Sequence, residues 1–125
     1  MMYKILILIA MMFCHIVDDY YLQGWLASAK QKEWWNKNAP DELYKNDYLM
    51  ALFMHSFSWA FSIMLVPTLY ILIFGGTWYP IIFIANIVIH MIVDDMKANK
   101  RKINLIQDQT IHILQIIITW YCFMF

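Results

Sequence analysis

The sequence predicts an all-α protein: an integral membrane four-helix bundle with a short interfacial segment between helices one and two. Three observations predict it. Hydrophobic residues make up 62% of the 125 residues and charged residues only 14%. An ordinary soluble domain carries about 25% charge, and a chain this small has much surface to cover with polar groups. Four stretches each offer the roughly 20 mostly apolar residues that a membrane-crossing helix needs. Finally, Lys and Arg are concentrated in two of the three connections between those stretches.

The length fits one domain, residues 1–125. The first helix is expected at about 1–27, and its length and apolar run suit a span. A cleaved signal peptide is the other reading of this stretch, since Lys4 precedes the run and Ala27-Ser28-Ala29 resembles a cleavage site. The run ends near Val17, about ten residues too early for that. Residues 28–47 are polar, with four lysines and four acids. Trp34 and Trp35 within them fit a segment lying at the headgroups. The second helix follows at about 48–74. Gly75 and Gly76 then allow a tight turn, and Pro80 is placed to start the next helix. That third helix is expected at about 78–96, and the fourth at about 103–125, after a connection holding Lys97, Lys100, Arg101 and Lys102.

Eight of the nine positive charges lie in the first and third connections and none in the second; Lys4 is the exception. The positive-inside rule then puts both termini outside and those two connections in the cytoplasm, with the protein in the inner membrane. Trp78, Tyr79, Trp120 and Tyr121 would mark the outer interface. A net charge of zero gives no sign of nucleic-acid binding. Cys14 and Cys122, in apolar stretches at opposite ends, suggest neither a disulfide framework nor a metal knuckle.

Ionisable residues inside membrane helices are costly and mark function by default. His15, Asp18 and Asp19 lie in the first helix, His55 in the second, His90, Asp94 and Asp95 in the third, and Asp108 and His112 in the fourth. Counted from the cytoplasmic ends, every histidine sits about 10–18 Å deep, at 1.5 Å of rise per residue. Three helices pair His with Asp four residues apart, hence on one face: His15 with Asp19, His90 with Asp94, Asp108 with His112. The order reverses in the fourth helix, as does the chain direction, so His is the deeper member each time. Asp18 and Asp95 would point about 100° away from their paired neighbours.

Histidine and carboxylate on facing helices are how bundles hold metal. The expected ligands are His15, Asp19, His55, His90, Asp94, Asp108 and His112. They suit one or two divalent ions, Zn, Mn or Fe. With seven groups, either two ions are bound or some Asp side chains orient the histidines instead. Gln23 and Gln109 are placed to support the ligands from behind or to meet a substrate. Asn86 reads as interhelical hydrogen bonding. A metal-free polar network is the competing reading.

The segments His15-Ile-Val-Asp-Asp19-Tyr-Tyr-Leu-Gln23, the isolated His55, His90-Met-Ile-Val-Asp94-Asp-Met-Lys97 and Asp108-Gln109-Thr-Ile-His112 resemble the domain-of-unknown-function family 3307, small membrane proteins of bacteria and their phages. The resemblance spans almost the whole chain. It departs in the doubled Asp at 18–19 and 94–95, which leaves either member of each pair as the match. It implies the helix count and the site, and carries no established activity.

The expected function is a membrane-embedded, metal-dependent hydrolase acting on a phosphoester or lipid-headgroup substrate from the cytoplasmic side. The metal would activate water, Asp19, Asp94 or Asp108 would serve as general base, and Lys97 and residues 100–102 would attract the anion. Membrane lipid and a phosphorylated small molecule or lipid are the expected partners, and self-association is open. The alternatives are a metal or proton transporter, and a non-catalytic phage or bacterial accessory protein with a structural His/Asp site.

Overall fold

The computed structural model describes residues 2–125 and contains helices and connections only, with no strand among the described residues. Helix α1 (Met2–Val17) runs directly into one π-helical turn, Asp18–Leu22. It ends at Gly24, whose φ of 49° lies in the left-handed region that glycine adopts freely. The expected first helix of 1–27 is therefore shorter and ends in a different geometry; Met1 lies outside the described residues. The polar segment folds into two short helices, α2 (Leu26–Ala29) and α3 (Lys32–Asn38), and a 3₁₀ turn, Glu42–Tyr44.

Helix α4 (Asp47–Phe74) follows, then α5 (Pro80–Ala98) and α6 (Leu105–Met124). At 28 residues α4 is about 42 Å long. The turn at Gly75 and Gly76 uses φ values of 83° and 144°, and Pro80 opens α5, where its missing N–H costs nothing. Asn104 caps α6 reciprocally: its side chain accepts from Gln107 N at 2.9 Å, and Gln107 Oε1 accepts from Asn104 N at 3.0 Å. That cap fixes the turn that carries Asp108.

The four long helices close a ring in which α1 touches α4, α4 touches α5, α5 touches α6, and α6 returns to α1. The start of α1 lies against the end of α6, where Lys4 Nζ donates to the Met124 carbonyl and Trp120 Nε1 donates to the Lys4 carbonyl at 2.7 Å. Lys4 is the positive charge outside the two cation-rich connections, and this contact gives it a local reason: it satisfies a free carbonyl at a helix C-terminus.

The interior is unusual in being polar. Beside an apolar cluster around Met11, Trp59, Ile63 and Ile116, the buried set includes His15, Asp18, Asp19, His55, Asn86, His90, Asp94, Asp108, His112 and Gln115, while Leu, Ile and Phe side chains crowd the outside. Two segments, Met2–Leu22 and Glu42–Phe74, are long and apolar enough to cross a membrane, and only 28% and 33% of their apolar windows are buried. Sequence reading expects four spans. Helices α5 and α6 do not reach the same standard, because Asp94, Asp95 and Lys97 lie in the one and Gln107, Asp108, Gln109, His112 and Gln115 in the other. Several of these polar residues belong to the buried cluster.

Candidate metal centre

Four helices deliver the cluster. The end of α1 and its π-turn supply His15, Asp18 and Asp19; α4 supplies His55, α5 His90 and Asp94, and α6 Asp108 and His112. All eight side chains are buried. Both aspartates of the π-turn are buried, Asp18 against Ser58 and Ser62 and Asp19 against His55 and His90. π-turns inside helices are often found at functional sites.

Two groups come close enough to hold a metal ion: Asp19, His55 and His90, and His90, Asp94 and His112, with the ligand atoms of each group within 4.8 Å of one another. His55 Nε2 lies 3.2 Å from His90 Nε2, 3.4 Å from Asp19 Oδ1 and 3.4 Å from Asp94 Oδ2. His90 Nε2 lies 3.9 Å from Asp19 Oδ1 and 3.8 Å from Asp94 Oδ1. His112 Nε2 lies 3.5 Å from Asp94 Oδ1 and 3.4 Å from Asp108 Oδ1. Ligands of a tetrahedral ion with bonds of about 2.0–2.1 Å are spaced by about 3.3 Å. The observed spacings of 3.2–3.9 Å leave room for an ion held among these atoms.

The surrounding hydrogen bonds decide where lone pairs point. Asn86 Nδ2 donates to Thr119 Oγ1 at 2.8 Å, so Asn86 Oδ1 is left to accept from Gln115 Nε2 at 3.1 Å. Gln115 therefore presents its oxygen to His112 Nδ1, at 3.4 Å. His112 Nδ1 therefore carries a proton, and its Nε2 faces Asp94 and Asp108. That Nε2, Asp19 Oδ1 and Asp108 Oδ1 are all buried without a hydrogen-bond partner. Carboxylates gathered in this way are costly unless a positive charge joins them, supplied by a protonated imidazole or by a metal ion.

The same logic separates His15 from the other histidines. Trp59 Nε1 can only donate, and it does so to His15 Nδ1 at 2.8 Å. His15 Nε2 then carries the proton and donates to Gln109 Oε1 at 3.1 Å. Gln109 Nε2 passes its own protons to Asp108 Oδ2 at 3.0 Å and Asp19 Oδ2 at 3.4 Å. Both nitrogens of His15 are occupied, and it belongs to neither metal-capable group. Gln109 thus supports the carboxylates from behind. Gln23 does not: its side chain donates to the Asp19 backbone carbonyl within its own turn.

Charge balance gives the remaining roles. Lys30 Nζ meets Asp94 Oδ2 and Lys97 Nζ meets Asp108 Oδ2, each at 2.7 Å. Each lysine holds one carboxylate oxygen and leaves the other facing the histidines. Asp18 Oδ2 accepts from Ser58 and Ser62 at 2.7 and 2.8 Å, with Oδ1 3.9 Å from His55 Nδ1. Four buried carboxylates face two lysines and the imidazoles of His55, His90 and His112, so the charge the lysines leave unbalanced falls to a protonated imidazole or to a metal ion. Lys30, Asp18, Ser58 and Trp59 escape a reading by local spacing, since their partners lie 40 or more residues away. Asp95 faces outward to Lys100 and Asn99.

Compared with known protein families, curated proteins and solved structures, the chain matches none.

Proposed function

We propose that the chain is a multi-pass membrane protein of the domain-of-unknown-function family 3307, and that it is a metal-dependent hydrolase working on a phosphoester or lipid headgroup at the cytoplasmic end of its bundle. The observation that carries this reading is the pair of metal-capable groups that share His90, Asp19 with His55 and His90 and His90 with Asp94 and His112, buried among helices from every quarter of the ring. One nitrogen binds one ion, and His90 Nε2 faces both groups, so the geometry favours a single Zn, Mn or Fe ion over two.

A divalent ion held there supplies Lewis acidity and activates water. Asp19 and Asp94 belong to the metal-capable groups. Asp108 does not, and its free Oδ1 beside them makes it the best-placed general base. Lys97, on its other oxygen, is a positioning residue that keeps the carboxylate aimed inward. The polar interior within an apolar exterior supports embedding in lipid, where a buried ionisable cluster is tolerated if paired. With both cation-rich connections at one end, the positive-inside rule supports termini outside.

Turnover of phosphoester substrates by metal-loaded protein, lost on chelation and lost in Asp108→Asn, is the expected result. Equal turnover in Asp19→Asn, Asp94→Asn, Asp108→Asn and wild type contradicts the assignment. A carrier reading draws on Gln115, Asn86 and Thr119, which extend the polar chain beyond His112; metal-driven flux in liposomes without hydrolysis would favour it.

A further inference from the structure

The cluster is open at one end. A cavity of about 320 Å³ lies there, lined by Lys30, Gln31, Asp94, Lys97, Ala98 and Arg101. Three of these six residues are cationic, and the single acid is the one whose other face meets His112. The walls are tied together across the chain. Lys32 N donates to Asn99 Oδ1 at 2.7 Å, Asn99 Nδ2 donates to the Lys30 carbonyl at 3.1 Å, and Arg101 pairs with Glu33 at 2.6 Å. Among the described residues, Arg101 is the one non-glycine at positive φ, 52°. Such a conformation persists only where surrounding contacts hold it, and it concentrates at functional sites.

We propose that this cavity binds a phosphate group. The ammonium of Lys30 has its side chain only 14% exposed and spends one of three donors on Asp94; Lys97 spends one on Asp108. The remaining donors, with the planar fork of Arg101 at the rim, surround a space large enough for a tetrahedral anion and its organic substituent. The floor of that space is the back of Asp94, so a phosphate held by the three cations abuts the His/Asp cluster. This placement rests on the hydrolase reading for its purpose, and on the cavity alone for its existence. It adds Lys30 to the residues that meet substrate, separates Arg101 from Lys100 and Lys102 as the rim cation that lines the cavity, and defines the phosphate, free or on a lipid, as what is recognised.

The test is phosphate binding by purified protein, followed by calorimetry with inorganic phosphate and by co-flotation with phosphatidylcholine vesicles with and without phosphatidic acid. Zinc, manganese and iron content is measured on the same samples. Saturable binding of inorganic phosphate identifies a free-phosphate site; binding confined to phosphatidic-acid vesicles identifies a lipid headgroup site. Arg101→Gln, at an exposed position, is expected to weaken binding on the order of tenfold, the size of one charge-assisted hydrogen bond, with metal content unchanged. Lys97→Gln should weaken it at least as much. Failure of wild type to bind either probe, or equal binding by wild type and both variants, overturns the proposal. Divalent metal bound without phosphate sinks this inference and leaves the metal centre; phosphate bound without zinc, manganese or iron does the reverse.

Discussion

Replacing Trp59 by Phe removes one hydrogen-bond donor from the interior. The indole N–H reaches His15 Nδ1 at 2.8 Å, and both residues are buried away from bulk water. An acceptor stranded in this way costs about 1–3 kcal/mol. His15 has one escape, which is to move its proton to Nδ1 and turn it toward Asp19 Oδ2, 3.5 Å away. Its Nε2 would then face Gln109 Oε1 with no proton between them. Gln109 would have to flip and point its oxygen at Asp19 and Asp108, so the cost passes to the carboxylates. The smaller ring also loosens the stack on His90, whose centroid lies 4.2 Å from Trp59. Reversible unfolding in mixed micelles, run as a double-mutant cycle with His15→Leu, isolates the pairwise part. The expected coupling is about 1–2 kcal/mol. A coupling within about 0.5 kcal/mol of zero, the usual limit of additivity, would refute the claim that Trp59 sets the His15 tautomer.

Other expectations follow from the same contacts. Lys97→Met should destabilise by about 1–3 kcal/mol, because Asp108 keeps only Gln109 as donor, with the partly exposed lysine placing the effect toward the lower end; an unchanged unfolding midpoint would count against the pair. Chelation should lower wild-type stability by about 2.7 kcal/mol when free metal had been a hundredfold above its dissociation constant, and should leave His90→Ala unaffected; a chelator response in that variant would place the ion elsewhere. On a background without Cys14 and Cys122, a cysteine at Asn38 should be labelled only from the cytoplasmic side and one at Gly76 only from outside. Labelling of Asn38 in intact cells by an impermeant reagent would reverse the orientation.

How much was legible in the sequence depended on how local each cause is. Pro80, Gly75 and Gly76 mark the α4–α5 turn by their own backbone limits, and α5 begins at Pro80. His90 with Asp94 and Asp108 with His112 share a face by spacing alone, and the structure brings those faces together. The π-turn was not legible, because nothing in the local spacing marks a departure from 3.6 residues per turn at 18–22. His15 shares a face with Asp19 as its spacing says, yet its nitrogens go to Trp59 and Gln109, 44 and 94 residues distant. No periodicity encodes that choice. Lys30 has no local signal that sets it apart from the other lysines of 28–47, since its partner Asp94 lies 64 residues on. Gly24 is the local signal for the end of the first helix: a glycine at φ 49° stops it before the polar segment begins at Ser28.

The most direct measurement is the divalent metal content of the purified chain beside two single variants, with helix content compared by circular dichroism. His90 faces both metal-capable groups, whereas His15 has its nitrogens committed to Trp59 and Gln109. Wild type is therefore expected to carry one ion per chain, His90→Ala to carry essentially none, and His15→Asn to keep most of it. Background metal in well-folded wild type, or wild-type occupancy in His90→Ala, would contradict the account.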